Sequence, residues 1–254
     1  MSAVGATPDE PLYFVPRWQA PANVRAAFSY RTGGVSTDRY ASLNLATHVG
    51  DRPASVTANR RLLRVALNLP TGPVWLNQTH GTRAVLLERD DIVAPADAAV
   101  TRQRGFVCAV QVADCLPVLL ATRGGDAVGV AHAGWRGLAA GVIEAAVAKF
   151  GVPAAELVAW LGPAIGPEHF EVGEEVRAAF LAWDRAAAER AFHANARGRW
   201  QCDLVALARA RLLALGVRAI DAACECTYAD SSRYFSYRRD GQTGRMAGLI
   251  WMEP

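Results

Sequence analysis

Three residues with metal-binding or nucleophilic side chains stand at the ends of predicted strands: His80, Cys115 and His132. Each is flanked by residues typical of tight turns, and strand ends are where a rigid scaffold presents reactive groups. Two imidazoles and one thiolate form the ligand set of a catalytic zinc site, whose fourth position stays open for water or substrate. The three residue types therefore predict a zinc centre that acidifies water or polarises a substrate atom.

The spacing of these residues leaves other interpretations open. The chain has neither a C-x-x-C nor an H-E-x-x-H motif, and spacing alone favours a cysteine packed in the core and histidines hydrogen-bonded near turns. A Cys–His hydrolase is another interpretation, with Cys115 as the nucleophile and His132 as the base. Copper at the same ligands is a third, although five histidines without an H-x-H pair cannot build a trinuclear copper cluster within one chain.

A glycine-containing loop and several isolated polar residues are candidates for substrate binding. Paired glycines let backbone amides approach an anion, and arginine binds phosphate through parallel hydrogen bonds. The loop over residues 29–36 therefore predicts a phosphate site, and two arginines near bends are further candidates. The predicted phosphate-binding residues are Arg31, Gly33, Gly34, Ser36, Arg136 and Arg238. Asp114, next to the candidate cysteine ligand, is predicted to move protons during catalysis.

The elements that must position these residues are central strands with helices on either side. Apolar runs predict strands over residues 106–112, 118–121, 127–131, 157–161 and 218–224. Helical spacing of apolar residues predicts helices over residues 55–67, 138–150, 172–183 and 204–215. Residues 234–237 and 246–252 are predicted to pair as a hairpin. Because strands and helices do not strictly alternate, we expect an α+β fold with a mixed sheet.

The composition is that of a globular protein rather than a disordered or fibrous one. Of the 254 residues, 52% are apolar and 20% are charged, and the net charge is +3. The basic residues are scattered arginines, with Lys149 the only lysine, which argues against nucleic-acid binding. An odd number of cysteines, five, argues against a disulfide framework.

The chain contains no apolar run long enough for a transmembrane helix. Residues 1–11 lack the pattern of a signal peptide and are predicted to form a loose tail. We therefore expect a cytoplasmic protein without a membrane partner, organised as one domain over residues 1–254.

Several short motifs along the chain resemble those of one protein family, the YfiH family. The match runs in order from about residue 28 to residue 251, which is nearly the whole chain. The motifs are RTGGVS (31–36), LNL (43–45), NQTHG (77–81), ADCLP (113–117), AHAGWRG (131–137), LGPAIG (161–166), FEVGEEV (170–176) and FSYRRDG (235–241).

The resemblance implies a fold and a metal site. The implied fold is a mixed β-sandwich flanked by helices in α/β/β/α-like layers, related to the folds of some Cys–His deamidases. The implied metal ligands are His80, Cys115 and His132, and the implied metal is Zn²⁺, with Cu²⁺ as the alternative.

The resemblance also implies an enzyme acting on small molecules. The family is described as a zinc-dependent group of purine nucleoside phosphorylases, methylthioadenosine phosphorylases and adenosine deaminases, and also as polyphenol oxidases of a laccase-domain type. One bacterial member is linked to peptidoglycan precursor editing. We therefore expect phosphorolysis of purine nucleosides with adenosine deamination, by a monomer or homodimer. Copper-dependent phenol oxidation and a Cys–His hydrolase of peptidoglycan precursors are the alternatives.

Overall fold

The computed structural model describes residues 11–88 and 95–254. The predicted loose tail, residues 1–11, lies outside the described residues except for Pro11. Among the helices of the described residues, none combines the length and the apolar character that crossing a bilayer requires.

The strands of the described residues are numbered in chain order. They are β1 (Tyr13–Phe14), β2 (Val24–Ser29), β3 (Val74–Trp75), β4 (Ala84–Leu86), β5 (Ala98–Thr101), β6 (Val107–Val112), β7 (Leu116–Thr122), β8 (Val128–Ala133), β9 (Leu157–Leu161), β10 (Glu171–Val172), β11 (Phe192–Ala194), β12 (Trp200–Cys202), β13 (Ala219–Ala222) and β14 (Met246–Met252).

The α-helices are numbered in the same way. They are α1 (Pro53–Ala66), α2 (Trp135–Ala140), α3 (Val142–Phe150), α4 (Glu174–Leu181), α5 (Arg185–Ala191), α6 (Leu204–Leu215) and α7 (Tyr237–Asp240).

Two large mixed sheets pack face to face and form the centre of the molecule. One has the strand order β1-β2-β14-β6-β3 and the other β13-β9-β7-β8-β5-β4. Their central strands are apolar on both faces, as expected of strands covered on both sides. The core between the sheets includes Phe28 and Ile250 from the first sheet and Leu119, Val130 and Trp160 from the second. A small third sheet, β10-β12-β11, lies outside this pair.

Helices cover the outer faces of both sheets. Leu138, Ile143 and Phe150 of α2 and α3 pack on the six-stranded sheet together with residues of α4, α5 and α6. On the other side, Leu63 of α1 packs with Leu43 on the outer face of the five-stranded sheet. The layers are therefore helix, sheet, sheet and helices, which confirms the α+β sandwich flanked by helices.

Local capping signals set the ends of several helices. The side chain of Asp203 accepts a hydrogen bond from the amide of Ala206, and Gly216 ends α6 in the left-handed region. The predicted helix over residues 138–150 is instead two helices, because Gly141 has a φ of 103° and separates α2 from α3. α2 already begins at Trp135, three residues before the predicted start.

The predicted hairpin between residues 234–237 and 246–252 is wrong. β14 pairs on one side with β2 and on the other with β6, so both of its edges are occupied by distant strands. Residues 234–237 form no strand: Tyr234 and Phe235 are buried in the inter-sheet core, and Ser236 caps α7.

Candidate metal centre and its cavity

His80, Cys115 and His132 come together in space. One potential ligand atom from each lies within 4.8 Å of the others. The Sγ atom of Cys115 is 3.9 Å from Nε2 of His80, and the two imidazole rings are 4.7 Å apart at an angle of 73°. His80 is exposed, Cys115 is half-buried and His132 is buried. The cluster therefore has one side facing solvent and one side fixed in the protein.

The two sheets place these residues at one end of the sandwich. His80 lies on the connection from β3 to β4 and Cys115 on the connection from β6 to β7, and both connections pass from the five-stranded to the six-stranded sheet. His132 is on β8, where the β7–β8 register pairs it with Pro117. The residue after β8, Gly134, leaves room for the cluster: a Cβ there would lie 2.9 Å from Cys115 Sγ and 3.0 Å from His80 Cδ2.

A buried carboxylate that the sequence motifs did not reveal, Asp97, contacts both histidine segments. Its Oδ1 atom is 2.8 Å from Nδ1 of His132, and the same oxygen accepts a hydrogen bond of 2.9 Å from the amide of His80. This leaves Nε2 of His132 as the ring nitrogen available to a cation. Burial acts to raise the pKa of Asp97, but hydrogen bonds from His132, Gly81 and Thr79 lower it to about 2.

Cys115 and His132 shift each other's pKa toward the charged forms. Burial acts to raise the pKa of the Cys115 thiol, but the positive charge of His132 and hydrogen bonds from both histidines lower it to about 6. Burial acts to lower the pKa of His132, but the Cys115 charge and the bond to Asp97 raise it to about 9. The thiolate is the form that binds metals and attacks electrophiles.

The donor set fits a metal ion. Two imidazole nitrogens and one thiolate suit Zn²⁺ and also Cu²⁺, and three protein ligands leave a position for substrate. Among the described residues this is the one group of at least three His, Cys, Asp or Glu side chains close enough to share an ion.

The cluster opens into a cavity of about 370 Å³, a size suited to a small-molecule ligand. Three arginines that line the cavity each lie over an aromatic ring that also lines it. The pairs, with the distance from Cζ to the ring centroid, are Arg136–Trp135 (4.5 Å), Arg238–Phe170 (5.2 Å) and Arg245–Tyr237 (5.8 Å).

None of the ion pairs found within residues 11–88 and 95–254 includes one of these three arginines. Each of the three guanidiniums is instead held over an aromatic ring, whose face attracts positive charge. The cavity wall is therefore suited to an anion.

The structure brings Arg136 and Arg238 of the predicted phosphate-binding residues to this cavity, but not the glycine loop. Arg31 donates to the carbonyl oxygens of Ala41 and Ser231 at 3.0 Å and lies over Phe235. Ser36 donates to Asp51 at 2.6 Å.

The two glycines of that loop also lie outside the cavity. Gly33 lines a separate groove beside α1. A Cβ at Gly34 would lie 2.3 Å from the Ser42 carbonyl oxygen. Tight packing therefore accounts for Gly34, and the glycine loop holds its own segment together.

Asp114 lines the cavity, and each of its carboxylate oxygens accepts a hydrogen bond. Oδ1 accepts a hydrogen bond of 2.7 Å from the Thr227 hydroxyl, and Oδ2 accepts one of 2.7 Å from the Arg238 amide. The residue has a φ of 91° and directly precedes Cys115. Its contacts connect the cysteine ligand to the start of α7, which carries Arg238.

Sequence reasoning missed Asp97 and Arg245. Asp97 directly precedes β5, and a buried carboxylate was to be expected beside a histidine ligand, but its partners are 17 and 35 residues away in the chain. Arg245 directly precedes β14 and has no motif of its own. Burial lowers its pKa, and only the fold places it in the cavity.

Comparisons with known proteins support a single family. Residues 25–253 match a family model described as "Multi-copper polyphenol oxidoreductase laccase". The chain is 49% identical over 239 residues to the Escherichia coli protein named purine nucleoside phosphorylase YfiH, covering 94% of this chain and 98% of that protein. It is 48% identical over 242 residues to the Pseudomonas aeruginosa protein named purine nucleoside phosphorylase PA4543, covering 95% and 98%.

Solved structures have the same fold. The crystal structure of Neisseria meningitidis protein NMB0706 superposes with a TM-score of 0.91 at 45% identity, covering 96% of this chain and all of that one. The Bacillus licheniformis protein YfiH superposes with a TM-score of 0.89 at 28% identity, covering 96% and 98%.

Proposed function

Because this chain belongs to the YfiH family, we propose that it is a zinc-dependent purine nucleoside phosphorylase. The reaction transfers the sugar of adenosine, inosine, guanosine or methylthioadenosine from the purine to phosphate. The products are the free base and ribose 1-phosphate, or 5-methylthioribose 1-phosphate from methylthioadenosine. The observation that carries the proposal is one cavity lined both by the His80–Cys115–His132 cluster and by three arginines that lie over aromatic rings. Two relatives bear the name of this activity.

The arginines bind and orient phosphate. Phosphate is the attacking group in phosphorolysis, and it must be held as an anion beside the ribosyl carbon. Arg136, Arg238 and Arg245 supply donors in the fork geometry that matches phosphate oxygens. Each guanidinium lies over a ring. Those of Arg238 and Arg245 also donate to backbone carbonyl oxygens, which helps to fix their directions.

We assign the purine to the part of the cavity that the metal cluster and Tyr237 line. His80, Cys115 and His132 would hold the zinc ion, which supplies a Lewis acid for the departing base or for a substrate oxygen. Tyr237 lines the cavity and is 60% exposed, so its ring is available to stack on a purine. The Asp114 carboxylate accepts hydrogen bonds from Thr227 and from the Arg238 amide, and so helps to position Cys115 relative to Arg238.

Adenosine deamination is the second activity we propose for this cavity. The three-ligand set leaves a coordination position for a group other than protein, which hydrolysis at the purine C6 position requires. Both activities then use the same ligands, so loss of Cys115 removes both.

Phenol oxidation is supported by the description of the family model. A multi-copper centre needs more ligands than the single cluster of three found among the described residues. We therefore favour the nucleoside reaction. The Cys–His hydrolase of peptidoglycan precursors uses Cys115 and His132 directly and requires no metal.

The test is chromatography of adenosine incubated with zinc-loaded protein, with and without phosphate. We expect adenine and ribose 1-phosphate only when phosphate is present, and inosine in both samples. We expect Arg136→Gln and Arg245→Gln to raise the KM for phosphate by about tenfold or more, since each removes a charged hydrogen bond. Arg64→Gln, on the exposed side of α1, is the matched control and leaves the KM unchanged.

Untouched adenosine in every sample would overturn the proposal. Full activity after removal of zinc by a chelator would instead favour the Cys–His chemistry of Cys115 and His132. Turnover of a phenol by the copper-loaded protein alone would favour the oxidase.

A further inference from the structure

We infer that Asp97 is a positioning residue that sets both histidine ligands at once, a role that rests on the proposed function of the three-residue cluster. One buried carboxylate faces the ring of His132 on one side and the backbone of the His80 turn on the other. Both imidazoles would then take their positions from the same two oxygen atoms.

The contact to His132 fixes the ring and its tautomer. Asp97 is fully buried and His132 is 3% exposed, so water does not compete for the 2.8 Å contact between Oδ1 and Nδ1. The His132 amide also donates to the Asp97 carbonyl oxygen at 2.7 Å. β5 and β8 pair directly after this point, with Ala98 opposite Ala131. The carboxylate therefore holds the proton on Nδ1 and turns Nε2 toward the cluster.

The contact to the His80 segment fixes a strained turn. His80 has a φ of 59°, in the left-handed region that a non-glycine residue seldom adopts. The amides of three consecutive residues, Thr79, His80 and Gly81, donate to Asp97 at 3.1, 2.9 and 2.8 Å. The Thr79 hydroxyl adds a fourth hydrogen bond at 3.1 Å. A carboxylate accepts all of these donors, whereas any group with its own N–H would repel some of them.

The Oδ1 atom is shared between the two histidines. It accepts from the His80 amide and faces His132 Nδ1, so it cannot shift toward one without leaving the other. This sharing couples the placement of the two residues, whose rings lie 4.7 Å apart at an angle of 73°. The exposed ligand is thus fixed through its backbone and the buried ligand through its ring.

The experiment measures zinc affinity in the full-length protein by competition with a chromophoric chelator. We expect Asp97→Asn to raise the zinc Kd by about 10- to 100-fold, because the side-chain amide places N–H groups against the donors of the turn. Asp184→Asn is the matched control: Asp184 also accepts one backbone hydrogen bond, from Ala187, but at the start of α5. It should leave the zinc Kd within twofold of the wild type. A wild-type Kd in Asp97→Asn would overturn the inference.

A second measurement needs no variant and covers the case in which Asp97→Asn does not fold. In ¹⁵N NMR spectra of the wild-type protein loaded with ¹¹³Cd²⁺, we expect the metal to couple to Nε2 of His132 and a slowly exchanging proton to stay on Nδ1. Coupling of the metal to Nδ1 would overturn the inference. Neither measurement uses a nucleoside: normal zinc binding through Nε2 without phosphorolysis would refute the proposed activity and leave the role of Asp97 intact.

Discussion

At the scale of single residues, the chemistry depends on which groups are charged inside the protein. His132 lowers the pKa of Cys115, Cys115 raises the pKa of His132, and hydrogen bonds lower the pKa of Asp97. Two other cysteines contrast with Cys115: burial raises the pKa of Cys108 to about 12 and raises that of Cys202 further. A sequence motif identifies the cysteine, but the positions of His132 and His80 in the fold lower the pKa of its thiol.

We predict that Cys115 of the metal-free protein reacts with iodoacetamide at a lower pH than an ordinary cysteine does. The thiolate is the reactive form, and its pKa of about 6 is below that of an ordinary cysteine. The alkylation rate should stay nearly constant from pH 8 to pH 7 and fall about tenfold between pH 7 and pH 5. Peptide mass spectrometry measures the rate at each cysteine.

The buried Cys108 and Cys202 are the internal controls and should stay unlabelled. Saturating zinc should protect Cys115, because the metal occupies its sulfur. A Cys115 rate that keeps rising up to pH 9, or one that zinc leaves unchanged, would contradict this prediction.

At the scale of elements, sequence patterns predicted the helix ends and strand bounds that depend on residues close together in the chain. The helix over residues 204–215 was predicted with both ends, because Asp203 and Gly216 act on the turns next to them. β9 was predicted over residues 157–161 from its apolar run. The pairing of β14 with β2 and β6 was missed, because those partners lie far away in the chain. Asp97 and Arg245 were missed for the same reason. The three ligands were predicted because histidine and cysteine are typical metal-binding residues.

The turn between β8 and α2 allows a prediction that depends only on the space around Gly134. Gly134 has φ −63° and ψ 155°, values that alanine adopts easily. A methyl group there would nevertheless lie 2.9 Å from Cys115 Sγ and 3.0 Å from His80 Cδ2. We expect Gly134→Ala to raise the zinc Kd by about tenfold or more, because it displaces two ligands together. Chelator competition measures it.

Gly72→Ala is the matched control, since a Cβ at that position meets nothing within 4 Å. It should leave the zinc Kd unchanged. Equal affinities of the two alanine variants would show that the cluster tolerates the added methyl group.

At the scale of the whole molecule, the cluster joins the two sheets. His80 and Cys115 lie on the connections that pass from the five-stranded to the six-stranded sheet, and His132 lies within the latter. A metal bound there holds both crossings at one end of the sandwich. Because the unfolded chain cannot keep three distant ligands together, the metal binds the folded state in preference.

We therefore predict that removing the metal lowers the melting temperature. At a free zinc concentration about 100 times the Kd, binding stabilises the folded state by about 2.7 kcal/mol. For a chain of this size that corresponds to a shift of about 5–10 °C. Scanning calorimetry with and without chelator measures the shift. Cys115→Ser is the control, in which chelator should change nothing, and an unchanged wild-type melting temperature would contradict the prediction.

The chain's single lysine, Lys149, has a practical consequence. It is exposed on the last turn of α3, next to Phe150. The Phe150 carbonyl accepts a hydrogen bond from Arg102, which directly follows β5, whereas Asp97 precedes the start of that strand. The lysine amine thus stands at the opposite end of β5 from the cluster. An amine-reactive linker attached at Lys149 would therefore hold the molecule by the end of β5 that lies away from the cluster.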